Sequence, residues 1–185
     1  ACCDRWAAAT PDAPALIQWT DGDVSAVSFK ELRRRVDRLA NALSGLGVKP
    51  GERVGILLPQ CVEAAEAHLA VYKLGAVAIP LFTLFGPDAL AYRLADSGAV
   101  ALIGTADGLA TVDSVSDQVP DLRHRIAVQD DAPGAHGYEA LLAKARDRFE
   151  TADTAEDDPA VVIYTSGTTG NPKGALHAHR VLLGH

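Results

Sequence analysis

The sequence predicts an α/β fold, a mostly parallel sheet covered by helices. Short runs rich in β-branched residues alternate with stretches of helical period at least five times along the chain. Glycine or proline marks most of the junctions. At 185 residues the chain could form one large domain or two small ones, and with 48% hydrophobic and 22% charged residues its balance supports a packed core and not global disorder.

The elements follow in order. In "ALIQWTDGDVSAVSF" (15–29), Asp21-Gly22 separates two strand-like runs, and this dipeptide accepts the positive φ values of a tight hairpin turn. Ser28 and Glu31 form the S-x-x-E pattern that starts a helix. Phe29, Leu32, Val36, Leu39, Leu43 and Leu46 then share one helix face, which Gly45 and Gly47 bring to an end. "RVGILLP" (53–59) reads as a buried strand. "CVEAAEAHLAVYKLG" (61–75) returns to helical period through Val62, Ala65, Leu69 and Tyr72. "AVAIPL" (76–81) is a strand, and "GPDALAYRLADSG" (86–98) a helix with Pro87 in its first turn. "AVALIG" (99–104) is a strand, Thr105 to Val119 a weaker helix, "RIAVQ" (125–129) a strand and "YEALLAKARDRF" (138–149) a helix. "PAVVIYTS" (159–166) is the last clear strand.

Composition excludes several classes of function. A formal net charge of −7 argues against non-specific binding to nucleic acid or to anionic membranes. The basic run at Arg33, Arg34 and Arg38 opposes the apolar stripe of its helix and reads as a solvated face. The longest apolar stretch, Ala67 to Phe85, is broken by Lys73, Gly75 and Pro80, so no membrane span is expected. Cys2, Cys3 and Cys61 are odd in number and lack CxxC spacing. They read as reduced thiols of a cytoplasmic protein, with Cys2 and Cys3 in a frayed terminus. No metal site is expected. The acidic stretch Glu150 to Ala160 reads as a surface linker, His177 and His179 as a polar strand edge, and His68, His124 and His136 as isolated. The chain contains no methionine and reads as a piece of something longer.

Chemistry concentrates in "YTSGTTGNPKG" (164–174). A phosphate carries concentrated charge and many acceptors, so a loop that binds it needs donors that converge. Gly167 and Gly170 free the backbone to turn successive N–H groups into one concavity. Thr165, Ser166, Thr168 and Thr169 add hydroxyls, and Lys173 adds a positive charge. The loop is not a Walker A motif, because Lys173 is followed by Gly174 instead of a hydroxyl residue. Taken alone, these residues fit a phosphate cradle and a ligand-free glycine-rich turn about equally.

Resemblance separates the two. "VIYTSGTTGNPKG" is similar, over its whole length, to the phosphate-binding signature of the adenylate-forming superfamily, which includes the acyl-CoA synthetases. Upstream, Ser28–Pro59 and Tyr72–Phe82 resemble two further core motifs of that superfamily, in the same order and spacing. The segment "LFTLFGPDALAYRLADSGAVALI" (81–103) looks more like acyl-CoA synthetases than peptide-synthetase adenylation domains.

The resemblance implies ATP-dependent activation of a small-molecule carboxylic acid as its acyl-adenylate, with Mg²⁺, and transfer to coenzyme A. Thr165, Ser166, Gly167, Thr168, Thr169, Gly170 and Lys173 would hold the phosphates. Lys173 would act as the catalytic residue by neutralising the departing pyrophosphate. Residues 1–185 would be the N-terminal part of the large adenylate-forming domain, inactive alone and prone to self-association through exposed apolar surface. The resemblance leaves open an adenylation domain serving a carrier protein and a non-catalytic nucleotide-binding domain. "LHAHR" (176–180) points weakly to a medium-chain or aryl acid.

Overall fold

A computed structural model describes residues 2–20, 22–165 and 170–183. Helix α1 (Cys2–Ala9) precedes a hairpin of β1 (Pro14–Thr20) and β2 (Asp23–Ser28). Asp21, half of the expected turn, lies outside the described residues. Helix α2 (Phe29–Gly45) starts as expected: Ser28 Oγ accepts the Glu31 backbone N–H at 3.2 Å. Its apolar stripe is real, with Val36, Leu39 and Leu43 fully buried.

The remaining elements are β3 (Arg53–Leu57), α3 (Val62–Lys73), β4 (Val77–Pro80), α4 (Pro87–Ser97), β5 (Ala99–Thr105), α5 (Ala106–Asp113), β6 (His124–Val128), β7 (His136–Gly137), α6 (Tyr138–Lys144), β8 (Pro159–Thr165) and β9 (Lys173–Ala178). Among the described residues, strands three to nine form one seven-stranded sheet, in the order β7-β6-β5-β3-β4-β8-β9. All its pairs are parallel except the outermost, β8 with β9.

Alternating strand residues feed two cores. Val54, Ile56, Ala78, Ile103, Ile126 and Val128 face α1, α2, α3 and α6. Leu57, Val77, Ile79, Leu102 and Ala127 face α4 and α5. The near-continuous apolar runs of β3, β4 and β5 are thus the mark of strands covered on both sides.

Several expectations need correction. The N-terminus is not frayed: Cys2–Ala9 is helical and Cys3 is a free thiol buried in the first core. In α3 the stripe Val62, Ala65, Leu69 and Tyr72 is only half-buried. The fully buried face carries Glu66, Ala67, Ala70, Val71 and Lys73. Two charges can sit there because each has partners. Lys73 Nζ donates to Asp4 Oδ1 at 2.7 Å and to Asp37 Oδ1. Glu66 accepts from Arg35 Nε and from the Tyr138 hydroxyl, both at 2.6 Å. Apolar periodicity misses a buried ion pair, because it counts only one of the two ways to fill a core.

The weak helix after Thr105 is α5 followed by a separate 3₁₀ turn at Ser116–Gln118, and α6 stops at Lys144, earlier than expected. His177 lies in β9 but His179 opens a 3₁₀ turn, so the two do not share a strand edge. The acidic stretch after α6 is largely exposed. The Ala152 N–H bonds the Lys73 carbonyl at 2.8 Å, and Asp157 pairs with Arg180. Among the described residues no helix is long and apolar enough to cross a membrane.

Candidate functional site

Helix α3, leaving β3, covers one face of the sheet, whereas α4, leaving β4, covers the other. The chain therefore diverges at the carboxyl ends of β3 and β4, and a crevice opens where parallel sheets of this kind bind ligands. A cavity of about 770 Å³ lies there, lined by Leu58, Gln60, Phe82, Phe85, Ile163 and Tyr164 and walled by Trp19 of the hairpin.

The expected phosphate loop joins β8 to β9 beside this crevice. Thr165 and Lys173 are a cross-strand pair at its base, and Tyr164 pairs with Gly174 one step further down. Both Thr165 and Lys173 are exposed. Gly170 has φ +91°, and a Cβ there would meet nothing within 4 Å. Its cost to a larger residue would be backbone strain alone. The structure thus gathers Thr165, Gly170 and Lys173 at one loop. Ser166, Gly167, Thr168 and Thr169 lie outside the described residues.

Helix α4 braces this hairpin. The Tyr164 hydroxyl donates to Asp96 Oδ2 at 2.6 Å. The Tyr92 hydroxyl donates to the Pro172 carbonyl at 3.1 Å. Between them the Arg93 guanidinium stands 4.0 Å from the Phe85 ring centroid and 5.8 Å from that of Tyr164. The Tyr92 and Tyr164 rings meet edge-on at 6.4 Å. Burial, helped by the Asp96 carboxylate, pushes the Tyr164 hydroxyl well above the usual phenol range. Gly174 makes room for that ring: a Cβ would stand 2.7 Å from Val162 Cγ1 and 3.3 Å from Tyr164 Cζ.

Sequence reasoning missed Tyr92, Arg93 and Asp96. They follow no motif, and the only signal is their i, i+1, i+4 placement on one side of a helix. Among the described residues no group of three or more His, Cys, Asp or Glu side chains could hold a metal ion. Thr165 and Lys173, both exposed, are paired across the base of a glycine-bearing loop at the carboxyl end of β8, and their hydroxyl and ammonium groups are donors of the kind an anion needs.

Comparison with known proteins places the chain among relatives of known kind. The chain is 37% identical to an acetyl-coenzyme A synthetase of Nostoc linckia, covering 95% of this chain and 58% of that protein. It is 33% identical to the acetyl-coenzyme A synthetase of Escherichia coli strain K12, covering 95% of this chain and 30% of that protein. Among solved structures it superposes on an anthranilate CoA ligase in complex with anthranoyl-AMP with a TM-score of 0.86 at 29% identity, covering 96% of this chain and 34% of the other. The Brucella canis acyl-CoA synthetase gives a TM-score of 0.88 at 28% identity, covering 99% and 33%. The chain thus spans between about a third and somewhat over half the length of these relatives. The family model described as AMP-binding enzyme matches residues 3–184, and the chain belongs to that family of adenylate-forming enzymes.

Proposed function

We propose that this chain serves the ATP-dependent activation of a carboxylic acid as its acyl-adenylate, followed by transfer of the acyl group to coenzyme A. Residues 1–185 would correspond to the N-terminal part of the adenylate-forming domain of the longer relatives. The observation that carries this reading is the pairing of Thr165 with Lys173 at the base of the loop, within a family match that runs past it.

In the first step a carboxylate oxygen attacks the α-phosphorus of ATP, and the bond to pyrophosphate breaks. In the second, the thiolate of coenzyme A attacks the acyl carbon and AMP leaves. The demand on the protein in the first step is to position charged oxygens and stabilise the leaving group. Thr165 through Gly170 would donate to the β- and γ-phosphates. Lys173, exposed and fixed by its strand register, would offset the charge that develops on pyrophosphate. Mg²⁺ would come with the nucleotide, held largely by phosphate oxygens. The acid itself stays open, since the relatives' names span acetyl-coenzyme A synthetase and anthranilate CoA ligase. The free thiols Cys3 and Cys61 support a cytoplasmic location.

Carboxylate-dependent exchange of labelled pyrophosphate into ATP, run on the product of the complete reading frame with short-chain, medium-chain and aromatic acids, tests the proposal. Exchange is expected with a subset of acids, and Lys173→Ala is expected to lower it about 100-fold. A folded protein that binds ATP but supports no exchange with any acid would favour a non-catalytic nucleotide-binding role.

A further inference from the structure

The structure assigns a positioning role to helix α4: Tyr92 and Asp96 anchor the two stems of the β8–β9 loop, so that Thr165 and Lys173 face a phosphate chain in fixed register. This inference rests on the phosphate-binding reading above. The two hydrogen bonds from α4 end one residue short of the two proposed phosphate ligands. Tyr164, bonded to Asp96, precedes Thr165. Pro172, whose carbonyl accepts from Tyr92, precedes Lys173. Tyr92 and Asp96 are four residues apart on α4 and so present to one side of the helix.

Successive side chains of a strand point to opposite faces. Tyr164 packs with the α4 core, so Thr165 turns away from it. Locking Tyr164 therefore also sets the facing of Thr165. Arg93 forms the plate between the anchors. It is only 8% exposed, donates from Nη1 to the Ala89 carbonyl at 2.7 Å, and leaves Nε buried without a partner among the described residues. A buried guanidinium whose cation rests on two rings and a carbonyl, with no carboxylate ion pair among the described residues, holds those rings in place. The missing Cβ at Gly174 completes the seat of Tyr164.

The test compares the chain with its Tyr92→Phe, Tyr164→Phe and doubly substituted variants, each of which keeps the rings and removes only the hydroxyl bonds. Calorimetry with inorganic tripolyphosphate reads the phosphate chain, and adenosine serves as the phosphate-free comparison. Each single variant is expected to bind tripolyphosphate about three- to tenfold more weakly, as the loss of one positioning hydrogen bond implies. Amide hydrogen exchange across 173–175 is expected to speed up in the same variants. A role in stability alone would lower the unfolding midpoint and leave tripolyphosphate affinity unchanged, and that outcome overturns the inference. If the unsubstituted chain does not bind tripolyphosphate, the phosphate reading itself fails. The exchange measurement then still judges the anchor, which is refuted if 173–175 exchange alike in all four proteins.

Discussion

The two faces of the sheet handle buried charge in opposite ways. Against α1, α2, α3 and α6, cations meet carboxylates: Lys73 with Asp4 and Asp37, and Arg35 with Glu66 and Glu139. Against α4, the buried cation Arg93 meets aromatic rings and a backbone carbonyl. The first arrangement ties helices to one another. The second ties a helix to the stem of a loop. A paired charge is satisfied within the core and has little left to offer a ligand, whereas the α4 side keeps its hydrogen-bonding capacity aimed at the hairpin that carries Thr165 and Lys173.

The largest effect should come from breaking the first arrangement. Lys73→Met leaves the Asp37 carboxylate, whose side chain is 4% exposed, without its cation. Stranding a buried charge typically costs about 3–5 kcal/mol. Burial alone would lower the Lys73 pKa, but the bonds to Asp37 and Asp4 outweigh it and hold the ammonium above the usual lysine range. The ammonium is therefore charged at neutral pH, and the stability it contributes is lost as pH rises through that raised value. Urea denaturation at pH 7 checks the cost. A loss below about 1 kcal/mol would mean that this network is not what fastens α1 to the core.

On the second face, Gly174→Ala should cost about 1–3 kcal/mol, the usual penalty for overpacking. The new methyl would stand 2.7 Å from Val162 Cγ1 and press on the Tyr164 ring. The informative companion is Gly174→Ala in a Tyr164→Leu background. If the ring causes much of the cost, the smaller neighbour should recover part of it. An unchanged penalty would assign the crowding to Val162 alone.

Acidification should also separate the faces. His68, His124 and His179 all belong to the first face, through α3, the β6 start and the contact of His179 with Tyr72. Burial lowers the pKa of each below the usual histidine value, with Arg123 adding to the effect at His124. A group depressed in the folded state binds fewer protons there than in the unfolded chain. Stability is thus full above about pH 6.5 and falls as pH drops toward the folded values. A loss of stability is expected between about pH 7 and pH 5. His68→Asn should flatten the slope, and a flat profile in the parent chain would contradict the three shifts.

Much of this architecture was legible in the sequence, and the parts that were not share a cause. The Ser28–Glu31 cap, the Leu32–Leu43 stripe and the strand–helix alternation are local patterns, and each reappears in the structure. The glycine- and hydroxyl-rich loop was visible as a contiguous motif, and the strand register pairs Thr165 with Lys173 at its base. What stayed hidden depends on partners distant in sequence. Glu66 and Lys73 look like a solvated face of α3 until Tyr138 and Asp37 come to meet them. Tyr92 and Asp96 look like ordinary helix residues until Pro172 and Tyr164 lie against them. Cys3 looks like a loose end until Asp4, beside it, finds Lys73. Single-sequence periodicity records where apolar side chains recur and is silent on which polar ones will be matched.

The smallest expected effect gives the cleanest control, because it lies one residue from a large one. Arg34 and Arg35 are neighbours on α2 with the same side chain. Arg34 bonds Glu31 through two nitrogens, yet its side chain is 43% exposed and its partner 39%. Water and salt screen such a pair, and its worth is about 0–0.5 kcal/mol. Arg35 instead reaches the fully buried Glu66 and bridges to Glu139 on α6. Thermal and urea unfolding of Arg34→Ala should match the parent within about 0.5 kcal/mol. Arg35→Ala should be destabilised severalfold more, because among the described residues Glu66 keeps the Tyr138 hydroxyl but loses its cation. Equal losses at the two positions would show that side-chain charge on α2, and not the burial of its partner, sets the energy. The contrast between the faces would then need a different explanation.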